Sequence, residues 1–262
     1  MNGAAIAALS RAAQSDPRLA IEVVEETGST NADLLARAAT LTGPLLLVAR
    51  HQSAGRGRAG RSWLSSSEGS LTFSLAWKFE GGLARLSGLP LAVGVALAET
   101  LARLGVQVGL KWPNDVLRDG GKLAGILIET QAAQDGSKGV WAVIGIGLNL
   151  LMPDELEARI GRSVASLPWL ARMDRDALLA ALLDGLAEVL REFEQTGFAA
   201  FAARWNMHHA WQGETVTILD GATVLHEGRA AGVDDAGRLL LDTPAGRIAV
   251  LAGDVSLRVK DA

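Results

Sequence analysis

The sequence contains no cysteine, which removes disulfides, thiolate metal sites and cysteine nucleophiles together. A reducing cytoplasm is the compartment that absence suggests. Unbroken apolar runs of about 18 residues are also missing, so no membrane span is expected. The alanine-rich start lacks the charged head, continuous apolar core and cleavage site of a secretory leader. Positive charge is not in excess: 25 Lys and Arg stand against 29 Asp and Glu, a net charge of −4. No general basic field exists to hold nucleic acid, and any anion must be held locally. Histidine is scarce, and the adjacent His208 and His209 have no carboxylate-spaced partner motif, so they read as a polar turn rather than a zinc site. What is plentiful is apolar surface, 49% of 262 residues, enough for one large domain with or without a small module.

Hydrophobic spacing orders the chain. Residues 1–19 form a lead-in, a short helix or a loose segment. Leu19 to Glu26 reads as a strand, and Ser29 to Ala39 as a helix with a Thr30/Asp33 capping pattern. Strands follow at Leu45 to Arg50 and Leu71 to Phe79, then an apolar helix from Leu89 to Leu104. QVGLKWPND, KLAGILIET and VWAVIGIGLNL are three strand-like runs, and their short connections favour antiparallel neighbours. Asp174 to Gln195 predicts a long amphipathic helix capped by Asp174, with a second helix reaching Trp205. From Gln212 five short strands recur at roughly ten-residue spacing, the pattern of a small barrel. The expected fold class is α+β: a mixed, largely antiparallel sheet with helices over residues 20–211, then a small β-barrel over 212–262.

One segment carries chemistry on its face. GRGRAGRSW, Gly55 to Trp63, places Arg56, Arg58 and Arg61 among three glycines, so the backbone can approach a ligand closely while guanidinium forks meet phosphate or carboxylate. Its Gly-x-Gly-x-x-Gly spacing also fits dinucleotide and kinase loops. HQSA before it and SSSEGS followed by a strand after it reject both, and no Lys-Ser/Thr pair makes a Walker loop. A solvated basic loop is the plain alternative. In KWPNDV, Pro113 and Asn114 make a turn that leaves Lys111 at a strand end, where a lysine is ordinarily only a solvated charge. Gly145 and Gly147 in IGIGLN, and Ala124 and Gly125 in GKLAGIL, thin a strand where something approaches, either a ligand or a packed neighbour.

Taken in order, TGSTN (Thr27 to Asn31), Gln52, GRGRAGRSW, KWPNDV, GKLAGILIE, IGIGLN and the GDVSLR ending resemble the biotin protein ligases. The resemblance runs from about residue 20 to the end. It implies a biotin/lipoate ligase catalytic fold with an SH3-like C-terminal barrel. Only about twenty residues precede the first strand, so the chain is similar to the short type without an N-terminal DNA-binding domain, and no specific DNA binding is expected. The implied reaction joins biotin to ATP, with Mg2+, as biotinyl-5'-adenylate, then passes biotin to one lysine of a biotin carboxyl carrier domain.

By the same resemblance Ser29, Thr30, Asn31 and Gln52 hold the head of biotin, and Arg56, Gly57, Arg58, Leu123 and Gly125 line its tail. Lys111 bridges the biotin carboxylate and the α-phosphate, with Arg58 as its catalytic companion. Gly55, Arg58, Arg61 and Trp63 close over the nucleotide, and Asn149 meets the adenine. Trp169 or Arg162 is expected to stack on the adenine, although Gly161 to Arg175 aligns poorly with the family. The rival readings are a lipoate or octanoate ligase or transferase, which the arginine loop and KWPND disfavour, and a non-enzymatic biotin-sensing regulator, which would need a DNA-reading element.

Overall fold

A computed structural model describes residues 1–134, 136–151, 164–253 and 255–259. Its main sheet has seven strands: β1 (Ala20–Thr27), β2 (Leu45–Gln52), β3 (Ser70–Phe79), β4 (Gly109–Lys111), β5 (Asp115–Arg118), β6 (Gly121–Ala132) and β7 (Val140–Asn149), in the order β1-β2-β3-β7-β6-β5-β4. Only β1 and β2 are parallel, joined through helix α3 (Thr30–Arg37); the other neighbours are antiparallel.

Strand alternation sorts the sheet's two faces. Leu46, Val48, Leu71, Phe73, Leu75, Ile144 and Ile146 point to the main core, while Leu45, Leu47, Ala76, Trp141 and Val143 pack under Leu34 and Ala38 on the α3 side. Burial on both faces explains why β2 and β7 read as near-continuous apolar runs, while β3 alternates small polar with apolar residues.

The main core is closed by helices α4 (Leu89–Arg103) and α5 (Arg175–Thr196), which touch each other as well as the core. Leu83–Arg103 is long and apolar enough, by composition, to cross a membrane. Here it is a core helix: Leu89, Leu91, Val93, Val95, Leu97 and Leu101 are all buried. Gly185 of α5 sits so close to the Thr100 hydroxyl of α4 that a Cβ would collide with it.

One open expectation is resolved and two change. The lead-in is built into the core as helices α1 (Gly3–Leu9) and α2 (Arg11–Ser15), with Ile6 fully buried. They dock on α5 through Asp184, which accepts from the Ser10 hydroxyl at 2.6 Å and from the backbone N–H groups of Ala12 at 2.9 Å and Arg11 at 3.2 Å. Ser29, not Thr30, caps α3 by accepting from Ala32 N–H at 3.5 Å, because the Thr30 hydroxyl is turned to Ser74. The Lys-Trp-Pro-Asn-Asp segment ends one strand and starts another, β5, which the sequence reading passed over.

After α6 (Ala199–Met207), strands β8 (Thr215–Asp220), β9 (Thr223–Val233), β10 (Leu239–Thr243), β11 (Gly246–Val250) and β12 (Val255–Val259) form a five-stranded antiparallel sheet in the order β11-β10-β9-β8-β12. It is tied to the first sheet near the site. The fully buried Trp112 indole donates to the Gly237 carbonyl at 3.2 Å, and Leu110 N–H donates to the His208 carbonyl at 2.6 Å.

Burial disfavours the charged form of Asp184, but the hydrogen bonds from Ala12, Ser10 and Arg11 outweigh it and hold the carboxyl below its usual range. A depressed carboxylate stabilises the fold above its unfolded value, and that contribution disappears as pH falls through the lowered folded value. Asp184→Asn should therefore cost about 1–3 kcal/mol near neutral pH, a difference that shrinks as pH falls through the lowered folded value. Urea unfolding of both proteins at neutral pH and in acid measures it.

Candidate active site

The site lies on the α3 side of the sheet, where successive same-face positions are unusually small. Ser74 on β3, Gly125 on β6, and Gly145 and Gly147 on β7 replace the large residues found elsewhere in these strands. An open cleft results, whose empty space of about 680 Å³ includes open solvent.

Its floor is a hydrogen-bonded strip of neutral polar groups. Thr30 donates from its backbone N–H at 2.8 Å to Gln52 Oε1 at the end of β2, with its hydroxyl oxygen 3.1 Å from the same acceptor. The Thr30 hydroxyl donates to Ser74 Oγ at 2.6 Å, and Ser74 donates to Asn31 Oδ1 at 2.6 Å. Asn31 Nδ2 then donates to the Leu127 carbonyl at 3.2 Å and to Glu129 Oε2 at 3.0 Å. A side chain at residue 145 would occupy the place of the Asn31 amide, which is why glycine stands there.

Above the floor, residues 55–63 form a tight hairpin. Gly57 N–H donates to Arg61 O at 2.6 Å and Trp63 N–H to Gly55 O at 2.8 Å, with the bend taken by Ala59 at φ 52° and Gly60 at φ 69°. The Trp63 indole lies across the Cα atoms of Gly125 and Gly147, and its buried N–H meets no hydrogen-bond partner among the described residues. All three arginines border the cleft. Arg56 Nη2 is 2.8 Å from Glu129 Oε1, and Arg61 Nε donates to the Arg58 carbonyl at 3.2 Å. Arg58 donates to Asn114 Oδ1 at 3.0 Å and to the Gly253 carbonyl of the second sheet.

Of the residues marked in the sequence, Ser29, Thr30, Asn31, Gln52, Arg56, Gly57, Arg58, Arg61, Trp63 and Gly125 border this cleft. Lys111 does not: its ammonium lies 3.8 Å from Asp115 and 4.7 Å over the Trp211 ring. The lysine on the wall is Lys122, which donates to Asp115 Oδ1 and lies 5.6 Å from the Trp63 ring centre. Leu123 is fully buried in the core, and Gly55 stands behind the wall, pressed on the Trp63 carbonyl. Asn149 reaches the site indirectly, donating to the Lys122 carbonyl at 3.2 Å. Trp169 is half exposed with the Arg118 guanidinium 4.3 Å over its ring, away from the cleft, while Arg162 lies outside the described residues.

Sequence reading passed over Lys122, Asp115, Asn114 and Ser74. Lys122 stands three residues before Gly125, in a segment already marked. The register shift between β5 and β6, with Val116 opposite Ala124 but Leu117 opposite Lys122, breaks the simple alternation that would have assigned its face.

Residues 21–149 match the Biotin/lipoate A/B protein ligase family, and residues 213–258 match the Biotin protein ligase C terminal domain. The chain is 37% identical over 244 residues to the biotin--[acetyl-CoA-carboxylase] ligase of Mycobacterium tuberculosis, covering 90% of this chain and 88% of that protein. The chain belongs to the biotin protein ligase family. The ligase of the same name from Paracoccus denitrificans is 34% identical over 249 residues, 89% of this chain and 98% of that one. Among solved structures, the biotin protein ligase from Aquifex aeolicus in complex with biotin and ATP superposes with a TM-score of 0.75 at 30% identity, covering 92% of this chain and 99% of the other.

Adding a methyl group at residue 147 would force the Trp63 ring out of its place. Gly147→Ala should cost about 1–3 kcal/mol in urea unfolding, as overpacking does, and should change the near-ultraviolet circular dichroism. An unaltered spectrum and midpoint would show that the indole does not rest there.

Proposed function

We propose that this biotin protein ligase binds biotin along the Thr30–Asn31–Gln52–Ser74 floor with its carboxylate toward Lys122, and receives ATP under the arginine hairpin. The observation that carries this reading is the pairing, in one cleft, of a neutral hydrogen-bonding floor with four cations, Arg56, Arg58, Arg61 and Lys122, around an indole face. The ureido head of biotin presents N–H donors and a carbonyl acceptor, which the hydroxyls and amides of the floor can match without a net charge. The apolar ring and tail suit Trp63 and Ile126.

In the first step a biotin carboxylate oxygen attacks the α-phosphorus; the new O–P bond forms as the bond to pyrophosphate breaks. Both reactants are anions, so the barrier contains their mutual repulsion. Fixed cations in a partly closed cleft lower it without a general base, since no proton moves in this step. In the second step the neutral amine of the carrier lysine attacks the acyl carbon, AMP leaves with the bonding pair, and the amine gives up a proton.

Lys122 takes the bridging role that the sequence reading gave to Lys111. Asp115 holds the ammonium of Lys122 and contacts that of Lys111, so Lys111 helps to fix the charge of the pair from behind. Magnesium takes hard oxygen donors, commonly one or two carboxylates with substrate phosphates. No group of three His, Asp or Glu among the described residues forms a protein cage, but the Asp115 carboxylate on the wall suits an ion carried in on ATP, where it would offset phosphate charge. The acceptor is a lysine of a biotin carboxyl carrier domain, and the working compartment is the cytoplasm.

Mixing the protein with biotin, ATP, magnesium and an apo carrier domain should release AMP and add one biotin to the carrier by mass spectrometry. Lipoate in place of biotin should give neither product; the reverse preference would overturn the assignment. Lys122→Ala should lower the rate of adenylate formation on the order of 100-fold, as loss of a preorganised charge does. Lys111→Ala should lower it less, and the opposite ranking would restore Lys111 to the bridging position. Arg58→Gly removes the two contacts of Arg58, to Asn114 and to the Gly253 carbonyl, and adds backbone freedom to the hairpin. That variant should still form the adenylate but release it early, read as biotin incorporated into serum albumin above the parent level at equal adenylate production.

A further inference from the structure

We propose that Glu129, which does not itself border the cleft, is a positioning residue that ties the arginine hairpin to the floor and so sets the affinity for biotin. The two oxygens of its carboxylate are divided between two donors of different standing. Oε1 receives Arg56 Nη2 at 2.8 Å, from a side chain 49% exposed on the hairpin. Oε2 receives Asn31 Nδ2 at 3.0 Å, from a residue 3% exposed at the base of the site.

The link closes a circuit. From Arg56 it runs through Glu129 to Asn31, then to Ser74, Thr30 and Gln52 by the bonds described above, and the backbone from Gln52 to Arg56 completes the ring. Every side chain of that ring except Glu129 borders the cleft. Glu129 is also its only acceptor-only member, and it faces two N–H donors at once. A neutral amide in its place would turn an N–H2 group toward one of them and leave that donor unmatched. The ring would then open at the point where the hairpin joins the floor, leaving the hairpin held by Arg58, by the packing of Trp63 on Gly125 and Gly147, and by its own backbone bonds.

This inference rests on the ligase reading for the identity of the ligand, but not for the behaviour of the hairpin. Glu129→Gln should raise KM for biotin about tenfold and raise KM for ATP by a smaller factor, because the link it breaks enters the biotin floor directly while Arg58 still holds the hairpin over the nucleotide. In the protein without ligands, trypsin should cut after Arg58 and Arg61 at least fivefold faster than in the parent. Arg56→Ala should speed cleavage likewise, and the double variant should be cut no faster than either single one, since for the ligand-free hairpin both break one contact. Additive effects in the double variant, or an unchanged biotin KM and cleavage rate in Glu129→Gln, would overturn the proposal. If Glu129→Gln folds poorly, as thermal melting would reveal, Arg56→Ala opens the same link from the hairpin side and carries the cleavage prediction alone. A parent protein that does not bind biotin would instead remove the ligase reading and leave the ligand-free cleavage comparison standing.

Discussion

Close approach to the β7 backbone is the constraint on which the site depends. On the α3 face of that strand the residues run Trp141, Val143, Gly145, Gly147 and Asn149, so the strand passes from a bulky half that builds core to a bare half that admits other groups. The Asn31 amide comes down on one glycine and the Trp63 indole on the other. Side chains at both places would lift α3 and the hairpin away from the sheet together, and with them the floor and the roof of the cleft. The opposite face of β7, carrying Ala142, Ile144, Ile146 and Leu148, remains fully apolar. One strand thereby serves the core on one side and the ligand site on the other.

The electrostatics follow from that geometry. The floor is neutral and fully hydrogen-bonded, which makes burial of its amides and hydroxyls tolerable. Cations gather only at the rim, and each one for which a contact is described is matched: Arg56 by Glu129, Arg58 by Asn114 and a carbonyl, Lys122 by Asp115. An acidic protein can thus keep a concentrated positive edge without an unpaired buried charge. An anionic substrate meets guanidinium and ammonium groups that are already oriented, so little reorganisation is left for the moment of reaction.

Much of this was legible in the sequence because it is written in backbone chemistry. The glycines and arginines of residues 55–63, the Pro-Asn turn at 113–114, and the strand-and-turn rhythm after Gln212 have few physical explanations, and the elements formed where those signals stood. Side-chain geometry was less legible. Ser74 is one of three hydroxyl residues in β3, with Ser70 and Thr72, and nothing in the sequence sets it apart from them until the site is seen. Lys122 lost its assignment to a register shift that only pairing reveals. Asp184 sits mid-helix, and its role depends on a segment more than 170 residues away. Lys111 stood out because its motif is conspicuous, yet Trp211, distant in sequence, covers its ammonium.

The reach of Arg58 has a mechanical consequence. Its guanidinium grips the turn after β4 with one nitrogen and a carbonyl between β11 and β12 with the other, so the hairpin hangs from both sheets. The junction of those sheets is itself stiffened by Trp112 and by the backbone pairing of Leu110 with His208 and Ala210. Raising the hairpin therefore means either letting go of the second sheet or dragging it along. Loop opening and inter-sheet movement are thereby coupled for as long as Arg58 keeps both contacts.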